Sequence, residues 1–528
     1  MKKIFQIILI INTFAWCLFA SGCVHRIKIP IGSKPTEKFT VTEYVKDDAV
    51  FQASSTLKIE GKSNPGVVMV AALYNYKNSL VSEVYGNTDN DGFWRLSLAT
   101  PDASMKEYTL KIYDSTEIYH ETYTNIKFGE VWMIMGDELE NVDFPIQEEV
   151  PVDTSLLPAN GQLDYSFMFY LNEEWVPAQR EISHFGYQLI RQIESTFNSW
   201  NRRPISVVFA TSQDSNIYQW LSREIIDSRK VIKDYLVSKN LYTNSQVLEE
   251  DDMSYLSERY LTKLQGMSYA NIVIHQGLAD LIDANNNINY DINTFQNVYS
   301  QMLYTMLSEI ENSFLVENRI FYLQEGTNQV ANAAILRLIQ SNTCNYYNRF
   351  EIVPTYDLAV VYDSVNDKYL EAYEIDSENL ANLQILGLDY MKVCRRLYQF
   401  SINAHHAPML NNAVKEYDST DAQVRIRLVF TNVNSFDKYD IIQGLKFYDI
   451  EGEEVEVKYT FEHNQIIIDL LAVETDQVSI LDDTISSPSE ELTYIKLSKI
   501  CYAQDSFIYG NNLSANQIGV IPFEIILN

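Results

Sequence analysis

The sequence has 528 residues, more than a single hydrophobic core usually accommodates, so we expect roughly two to four domains. Apolar residues make up 46% and charged residues 21% of the chain, which excludes a disordered protein. The formal net charge of −31 opposes binding to nucleic acid, because it repels phosphates, but it allows a local site for a sugar.

The first residues of the chain have the features of an export signal. Lys2 and Lys3 precede an apolar stretch at residues 4–19, which is too short for a stable membrane-spanning helix. Ala20-Ser21-Gly22 and Cys23 then resemble the lipobox of bacterial lipoproteins. The resemblance implies removal of residues 1–22 and a lipid on the Cys23 thiol, so the mature chain would be anchored to a bacterial membrane in the cell envelope. An ordinary signal peptide cut nearby is the alternative.

A tether and a β domain are predicted next. Residues 23–40 lack any apolar period and contain Pro30 and Pro35, a pattern typical of a tether. Residues 41–128 alternate between apolar and polar as strands do, and turn sequences at 64–66 and 89–92 interrupt them. We therefore expect an N-terminal β domain of the sandwich type.

From residue 129 to residue 403, strand and helix patterns alternate. Strands are predicted at residues 131–135, 205–210, 272–274, 319–323 and 358–361. Helices are predicted around residues 185–197, 217–225, 294–314 and 380–402. This alternation predicts a parallel sheet wrapped by helices, in which ligands lie beyond the carboxyl ends of the strands. Those ends are residues 136–140, 211–215 and 275–280.

The final segment, residues 404–528, has strand patterns again, so we expect a C-terminal β region. Strands are predicted at 424–430, 446–448, 454–459 and 466–471. Cys344, Cys394 and Cys501 have no motif spacing. We interpret them as buried apolar residues and not as a disulfide framework or a metal site.

Several short motifs follow one another in the order of a known enzyme family. They are Asp91-Gly92-Phe93-Trp94, Gly129-Glu130-Val131-Trp132, Phe185-Gly186-Tyr187-Gln188-Leu189, Trp220, His275-Gln276-Gly277, Leu336-Arg337-Leu338-Ile339-Gln340 and Cys501-Tyr502-Ala503. In this order and spacing the chain resembles the sialate O-acetylesterases of the SGNH/GDSL hydrolase class. The resemblance spans roughly residues 45–525. It implies an SGNH-like α/β domain with a flavodoxin-like parallel sheet at residues 129–403, flanked by β-sandwich-like domains, and carboxylic ester hydrolysis as the family's activity.

The residues that this family's chemistry needs are replaced in the sequence. The mechanism uses a serine nucleophile, a histidine base, and glycine and asparagine donors for the oxyanion. At the matching positions stand Glu138 for the serine, Asp214 within the glycine pair, Asp280 for the asparagine and Asp376 for the histidine. An ionised carboxylate donates no hydrogen bond and repels an oxyanion. We therefore expect a catalytically inactive relative.

Several interpretations of these positions remain open. Ser183, Ser212 or Ser215 could be recruited as a nucleophile if the motifs are misaligned. If the fold is kept, Glu138, Asp214 and Asp280 converge on one cleft with Asp376 as a further candidate, where they could hold Ca²⁺ or Mg²⁺. A carboxylate pair performing acid/base hydrolysis is another reading, and a decayed site whose acids face water is a third.

His275, at the end of a buried strand, is interpreted either as a general base or as a hydrogen-bonded core residue.

Three functions follow from these interpretations. The first is a non-catalytic surface lipoprotein that binds glycan or a protein partner. The second is a working carbohydrate O-acetylesterase acting on sialate, and the third is a metal-assisted or carboxylate-based hydrolase. We expect the first, with attachment to a membrane through the lipid, no nucleic-acid partner and no cofactor.

Overall fold

The structure is a computed structural model that describes most of the chain. The described residues are 32–136, 166–180, 182–197, 201–286, 291–324, 331–355, 358–363, 368–370, 383–388, 390–402, 406–418, 423–433, 436, 445–470, 497–502, 514–515, 518–519 and 523–526. The chain forms two compact units. Unit 1 extends to Glu130 and includes Asn172–Trp175 and Gly266–Ser268, and unit 2 comprises the remaining residues from Val131 onward.

Unit 1 is built from strands in two sheets. The strands are β1 (Val50–Gln52), β2 (Thr56–Lys62), β3 (Val68–Asn75), β4 (Leu80–Asn87), β5 (Phe93–Ala99), β6 (Ser104–Asp114) and the first part of β7 (His120–Gly136). Strands β2 and β5 form one sheet, and the other has the order β4-β3-β6-β7-β1. Buried Trp94, Leu96 and Leu98 alternate with exposed residues on β5. A Cβ atom at Gly86 of β4 would lie 3.1 Å from the Leu96 side chain, so the two sheets pack face to face.

Two aspartates fix turns of unit 1. The Asp89 carboxylate accepts a hydrogen bond from the backbone N–H of Phe93 at 2.8 Å, at the predicted turn before β5. Asp114, at the end of β6, accepts from the N–H groups of Thr116 at 2.8 Å and Tyr119 at 2.7 Å. Burial alone would raise the pKa of Asp114, but a hydrogen bond from the Thr116 hydroxyl, together with these backbone hydrogen bonds, leaves that pKa below its usual value.

Unit 2 contains a seven-stranded mixed sheet. Its further strands are β8 (Phe167–Leu171), β9 (Glu174–Pro177), β10 (Ile205–Thr211), β11 (Ser268–His275), β12 (Leu315–Leu323) and β13 (Phe350–Val353). The order is β13-β12-β11-β7-β10-β8-β9, and the pairs β8–β10, β7–β11 and β12–β13 are parallel. Strands β10 and β11 are buried at every residue, as expected for strands covered on both faces. The five strands β7, β10, β11, β12 and β13 thus follow the doubly wound order 2-1-3-4-5.

Helices connect and cover these strands. They are α1 (His184–Glu194), α2 (Ile217–Trp220), α3 (Arg223–Ser228), α4 (Lys230–Ser238), α5 (Thr262–Leu264), preceded by a π turn at Ser257–Leu261, α6 (Leu278–Asn286), α7 (Ile292–Ser313), α8 (Ala333–Cys344) and α9 (Tyr390–Ser401). Helices α2, α4, α6 and α8 pack against α7, whereas α1 packs against α9. The predicted helix at 217–225 is divided into α2 and α3, because Ser222 caps a new helix by accepting from the Ile225 N–H.

The structure corrects two predictions after β13. The predicted helix at 380–402 begins only at Tyr390, and Leu383–Leu388 is a strand, β16. A short apolar run fits both periods, so Leu383 and Leu386 could not be assigned by spacing alone. The strand predicted at 358–361 exists as β14 (Ala359–Asp363), but it pairs antiparallel with β15 (Lys368–Leu370) and β16 outside the seven-stranded sheet.

The C-terminal segment is β-structured, as predicted. Its strands are β17 (Met409–Asp418), β18 (Gln423–Thr431), β19 (Leu445–Asp449), β20 (Lys458–Glu462), β21 (Gln465–Asp469), β22 (Leu497–Tyr502), β23 (Ser514–Ala515), β24 (Ile518–Gly519) and β25 (Phe523–Ile526). The sheets β17-β18-β21-β20 and β19-β22-β25 share one core that includes Leu428, Phe447, Ile466 and Ile500. The strand predicted at 454–459 lies later, at β20, because residues 450–453 form a turn closed by the Asp449 carboxylate.

Among the described residues, Cys344 and Cys394 are buried and free, as predicted, and burial raises the pKa of the Cys344 thiol. The side chain of Cys501 lies outside the described part. No helix in the described ranges combines the length and the apolar character needed to cross a membrane.

Candidate functional site

The candidate site is the edge of the seven-stranded sheet at which β7, β10 and β11 end. These strands end at Gly136, Thr211 and His275, which confirms the predicted strand ends. They are neighbours in the sheet, with β7 at the centre. In a 2-1-3-4-5 sheet the chain leaves strands 1 and 3 in opposite directions, and a crevice for ligands opens between them. In this chain strands 1 and 3 are β7 and β11, so the rule places a candidate ligand position beyond the ends of these two strands.

The ends of these strands approach each other closely. Gly136 is the register partner of His275, and its carbonyl oxygen accepts from the Ser212 N–H at 3.1 Å. Gly136 has φ +108°, and a Cβ atom there would lie 1.9 Å from the His275 carbonyl oxygen. Only glycine fits this backbone geometry.

Asp280 lies in the first turn of α6, directly after β11, and is fully buried. Its two carboxylate oxygens accept hydrogen bonds from the backbone N–H of Ile217 at 3.2 and 3.1 Å. The side-chain amide of Gln276 donates to the same carboxylate at 3.1 Å, and that of Asn216 lies 3.5 Å away. The carboxylate therefore holds the start of α2 against the end of β11.

Asn216 connects this carboxylate to a second one. Its side-chain amide donates to Asp283 at 3.1 Å, and its backbone N–H donates to the Gln219 side chain at 2.7 Å. The Gln219 side chain thereby satisfies the N–H of Asn216, the N-cap residue of α2. The loop after β10 is thus tied to α6 through polar groups that are mostly buried.

Gln276 is 1% exposed and makes hydrogen bonds that connect the end of β11 with several neighbouring elements. Its side chain also donates to the Ser215 carbonyl oxygen at 2.8 Å. Its own carbonyl oxygen accepts from the Tyr322 hydroxyl at 2.7 Å and from the Gln340 amide at 3.1 Å. Burial raises the pKa of Tyr322 well above its ordinary value, so the hydroxyl keeps its proton and remains a donor.

The four positions matched to the family's catalytic residues are only partly within the described residues. Asp214 is exposed, has φ +53°, and follows β10, whereas Asp280 is fully buried after β11. Glu138 and Asp376 lie outside the described residues, as does Cys23. Among the residues that are described, no group of three or more His, Cys, Asp or Glu side chains could hold a metal ion. The cation site at Glu138, Asp214 and Asp280 therefore stays a prediction.

The three candidate serines differ in accessibility. Ser183 is 1% exposed, and its hydroxyl caps α1 by accepting from the Gly186 N–H at 3.1 Å. Ser215 is 2% exposed, and its hydroxyl accepts from the Trp220 indole N–H at 3.0 Å. Ser212 is half-buried at the end of β10. Ser212 is therefore the one of the three whose hydroxyl could reach a substrate at this edge.

The histidines of unit 2 have distinct surroundings. His275 is 6% exposed at the end of β11, as expected for a core residue. The His184 ring contacts Gln188 at 3.2 Å, and burial lowers the pKa of His184. The Nδ1 atom of His406 lies 2.5 Å from the Glu351 carboxylate. Neither His184 nor His406 pairs with a serine hydroxyl in the described part of the chain.

Sequence patterns missed several residues of this edge. Asn216, Tyr299 and Tyr322 were not anticipated, although Asn216 precedes a helix and is a common N-cap type. The Tyr299 hydroxyl lies 3.3 Å from the Gln276 carbonyl oxygen. The two tyrosines belong to α7 and β12, so only the three-dimensional arrangement brings them to Gln276.

This fold, an α/β domain with separate antiparallel sheets, occurs in a known class of enzyme. The chain aligns with a carbohydrate acetylesterase from Xanthomonas citri at a TM-score of 0.60, over 93% of this chain and 99% of that one, with 14% identity. At that identity the similarity shows a common fold alone. A β-glucuronidase from Ruminococcus gnavus covers 70% of this chain and 58% of that one at 7% identity, but its TM-score of 0.22 is too low to indicate a common fold. No family model and no curated protein matches the sequence.

Proposed function

We propose that this chain is a non-catalytic relative of the SGNH hydrolases that binds a glycan on the bacterial cell surface. The observation that carries the proposal is the hydrogen bonding of the buried Asp280 carboxylate. Both of its oxygens accept hydrogen bonds inside the protein, from Ile217 and Gln276. An ionised carboxylate has no proton to donate to an oxyanion.

The energetic consequence of this replacement is large. Loss of one oxyanion donor costs roughly 3–4 kcal/mol of transition-state stabilisation. A buried negative charge at the same position would also repel the oxyanion as it forms. These effects support a scaffold that has kept its fold and lost the esterase reaction, in agreement with the replacements at Glu138 and Asp376.

Carbohydrate is the favoured ligand because a protein with a similar fold over nearly the full length of both chains is a carbohydrate acetylesterase. Fold alone does not determine function, so a protein partner remains an outcome to be tested. A glycan array probed with the full chain, purified in a mild detergent, distinguishes the two. Retention on glycans supports the proposal, and binding to proteins without any glycan signal contradicts it.

Acetate release provides the test of inactivity. We expect the full chain to release no acetate above the buffer rate from O-acetylated N-acetylneuraminic acid or 4-nitrophenyl acetate, because no oxyanion donor stands at Asp280. We also expect no labelling by a serine-directed organophosphorus probe. A Ser212→Ala variant is the matched control and should give the same background rate.

The second candidate is a working carbohydrate esterase. The observation that favours it is the position of Ser212, the most accessible of the three candidate serines, at the edge of the sheet where β7, β10 and β11 end, which we call the carboxyl edge. Acetate release that Ser212→Ala abolishes would establish this candidate and overturn the inactive one. Release that Glu138→Ala abolishes, without probe labelling, would instead indicate a carboxylate-based hydrolase. Loss of that release on chelation would point to the cation site.

Export and lipid anchoring are the remaining part of the proposal. When the chain is produced in a bacterium grown with radiolabelled palmitate, we expect label on the wild type and none on Cys23→Ser. The Cys23→Ser variant should also leave the membrane fraction, since it lacks the acyl chains that anchor the wild type. A Cys17→Ser variant is the control and should label normally. Absence of label from the wild type would point to an ordinary signal peptide, and normal labelling of Cys23→Ser would exclude Cys23 as the lipidated residue.

A further inference from the structure

Unit 2 has an open groove of about 640 Å³ between α4, α7 and α8, and none of the residues described at the carboxyl edge lines it. We call it the α4–α7–α8 groove and define it by Arg229, Lys230, Gln301, Tyr304, Asn342 and Tyr346. Its floor is apolar and includes Ile232 and Ile339, both buried. This volume is within the range of small-ligand sites, roughly 300–1,000 Å³.

Two tyrosines project from the wall of the groove. Tyr346 is 78% exposed and Tyr304 is 43% exposed. Their ring centroids lie 6.2 Å apart at an interplanar angle of 82°, and Tyr347 supports Tyr304 at 5.4 Å. The Tyr347 hydroxyl also donates to the Tyr304 carbonyl oxygen at 2.6 Å. The rings therefore support one another while both side chains stay exposed, and exposed aromatic rings are suited to packing against the C–H face of a sugar.

Side-chain amides lie beside this platform. Gln296 and Gln301 on α7 and Asn342 on α8 are exposed. None of the three side chains makes a hydrogen bond within the described ranges. Each amide offers donors and an acceptor, the pair of functions that neighbouring sugar hydroxyls require.

The charge of the groove is opposite to that of the chain. Arg229 and Lys230 line it, both are exposed, and neither forms an ion pair with any described residue. Among the described residues, no carboxylate lines the groove, although the chain has 71 acidic and 40 basic residues. A guanidinium group binds a carboxylate through paired hydrogen bonds, so these two cations favour an acidic ligand.

We propose that the α4–α7–α8 groove is a binding site for a carboxylated oligosaccharide. The sugar carboxylate contacts Arg229 and Lys230, an apolar sugar face lies on Tyr304 or Tyr346, and the amides bind hydroxyls. This site is separate from the carboxyl edge of the sheet. It therefore stands or fails independently of the acetate-release result.

Calorimetric titration of the full chain in a mild detergent tests the site with two acidic probes, 3′-sialyllactose and trigalacturonic acid. Their neutral partners are lactose and the methyl ester of trigalacturonic acid. We expect at least one acidic probe to bind about tenfold or more tightly than its neutral partner, because charge-assisted hydrogen bonds are lost in the neutral one. The double variant Arg229→Gln/Lys230→Gln and the variant Tyr346→Ala should each weaken binding of that probe by about tenfold.

Matched controls are available elsewhere on the surface. Lys415→Gln removes an exposed cation and Tyr85→Ala removes an exposed tyrosine, and neither residue lines the groove. Both should bind like the wild type. The proposal is overturned if neither acidic probe binds, if the neutral partners bind equally well, or if the groove variants and the controls behave alike. Tighter binding of pentaglutamate than of either acidic sugar would assign the groove to a protein ligand and also overturn it.

Discussion

Replacing Asp280 with alanine should lower the free energy of unfolding by about 3 kcal/mol, because a buried N–H group then loses its acceptor. The backbone N–H of Ile217 has both Asp280 oxygens as acceptors. Asn216 would keep its bond to Asp283, and Gln276 would keep its bond to Ser215. The largest part of the cost therefore falls on Ile217 and on the cavity left behind.

Hydrogen–deuterium exchange read by mass spectrometry locates this effect. Peptides that contain Ile217 should exchange roughly 100-fold faster in Asp280→Ala, as 1.4 kcal/mol corresponds to a factor of ten. Asp280→Asn keeps one oxygen towards Ile217 and should cost about 1 kcal/mol. Asp283→Ala, the control, removes a partner of Asn216 and should leave the Ile217 peptides close to wild type. Unchanged exchange in Asp280→Ala would refute the role assigned to the carboxylate.

Gly136→Ala should destabilise unit 2 by about 4 kcal/mol, through backbone strain and a clash together. An L-residue rarely adopts φ +108°, and the new Cβ atom would lie 1.9 Å from the His275 carbonyl oxygen. Neither strand can retreat easily, because Gly136 and His275 are register partners inside the sheet. The midpoint of urea unfolding, followed by hydrogen exchange of the β7 and β11 peptides, measures the loss.

Gly452 provides the matched control for that variant. It also has a positive φ, +87°, but a Cβ atom there would meet nothing within 4 Å. Gly452→Ala should therefore show the backbone cost alone, about 1 kcal/mol. The difference between the two variants isolates the clash at the carboxyl edge. Equal destabilisation of both would mean that the ends of β7 and β11 are not in close contact.

The sheet edge could be predicted from the sequence because its strands are buried on both faces. The apolar run 272–274 and the run 205–210, which is apolar except for Ser206, are followed by polar residues, and this placed the ends of β10 and β11 correctly. The same reasoning gave the wrong structure for residues 383–388, which were predicted as helix and form a strand. A run of six residues with leucines at 383 and 386 fits a helix as well as a strand. These residues form a strand because they pair with β14, and the local sequence does not show which segment will be the pairing partner.

For the candidate site, the sequence predicted where the acidic residues lie along the chain, but not which hydrogen bonds they make. Motif order placed Asp214 and Asp280 after two strands of one sheet, and they follow β10 and β11, which lie on either side of β7. Their different environments could not be foreseen, because the burial of Asp280 depends on Ile217, which lies 63 residues earlier in the chain. An acidic residue usually faces water, so composition alone would have assigned both carboxylates to the surface.

The two buried thiols of unit 2 have a consequence for redox chemistry under the proposal that the chain is exported. Cys344 and Cys394 are 2% and 1% exposed, and the Cys394 thiol lies 3.6 Å from the Phe185 carbonyl oxygen. Only the thiolate reacts readily with oxidants or disulfides, and burial keeps Cys344 as the thiol. Compartments outside the cytoplasm are oxidising, so unfolded copies of this chain would be open to wrong disulfides. Because both thiols are buried in the folded unit, we expect the risk of a wrong disulfide to be greatest before unit 2 has folded.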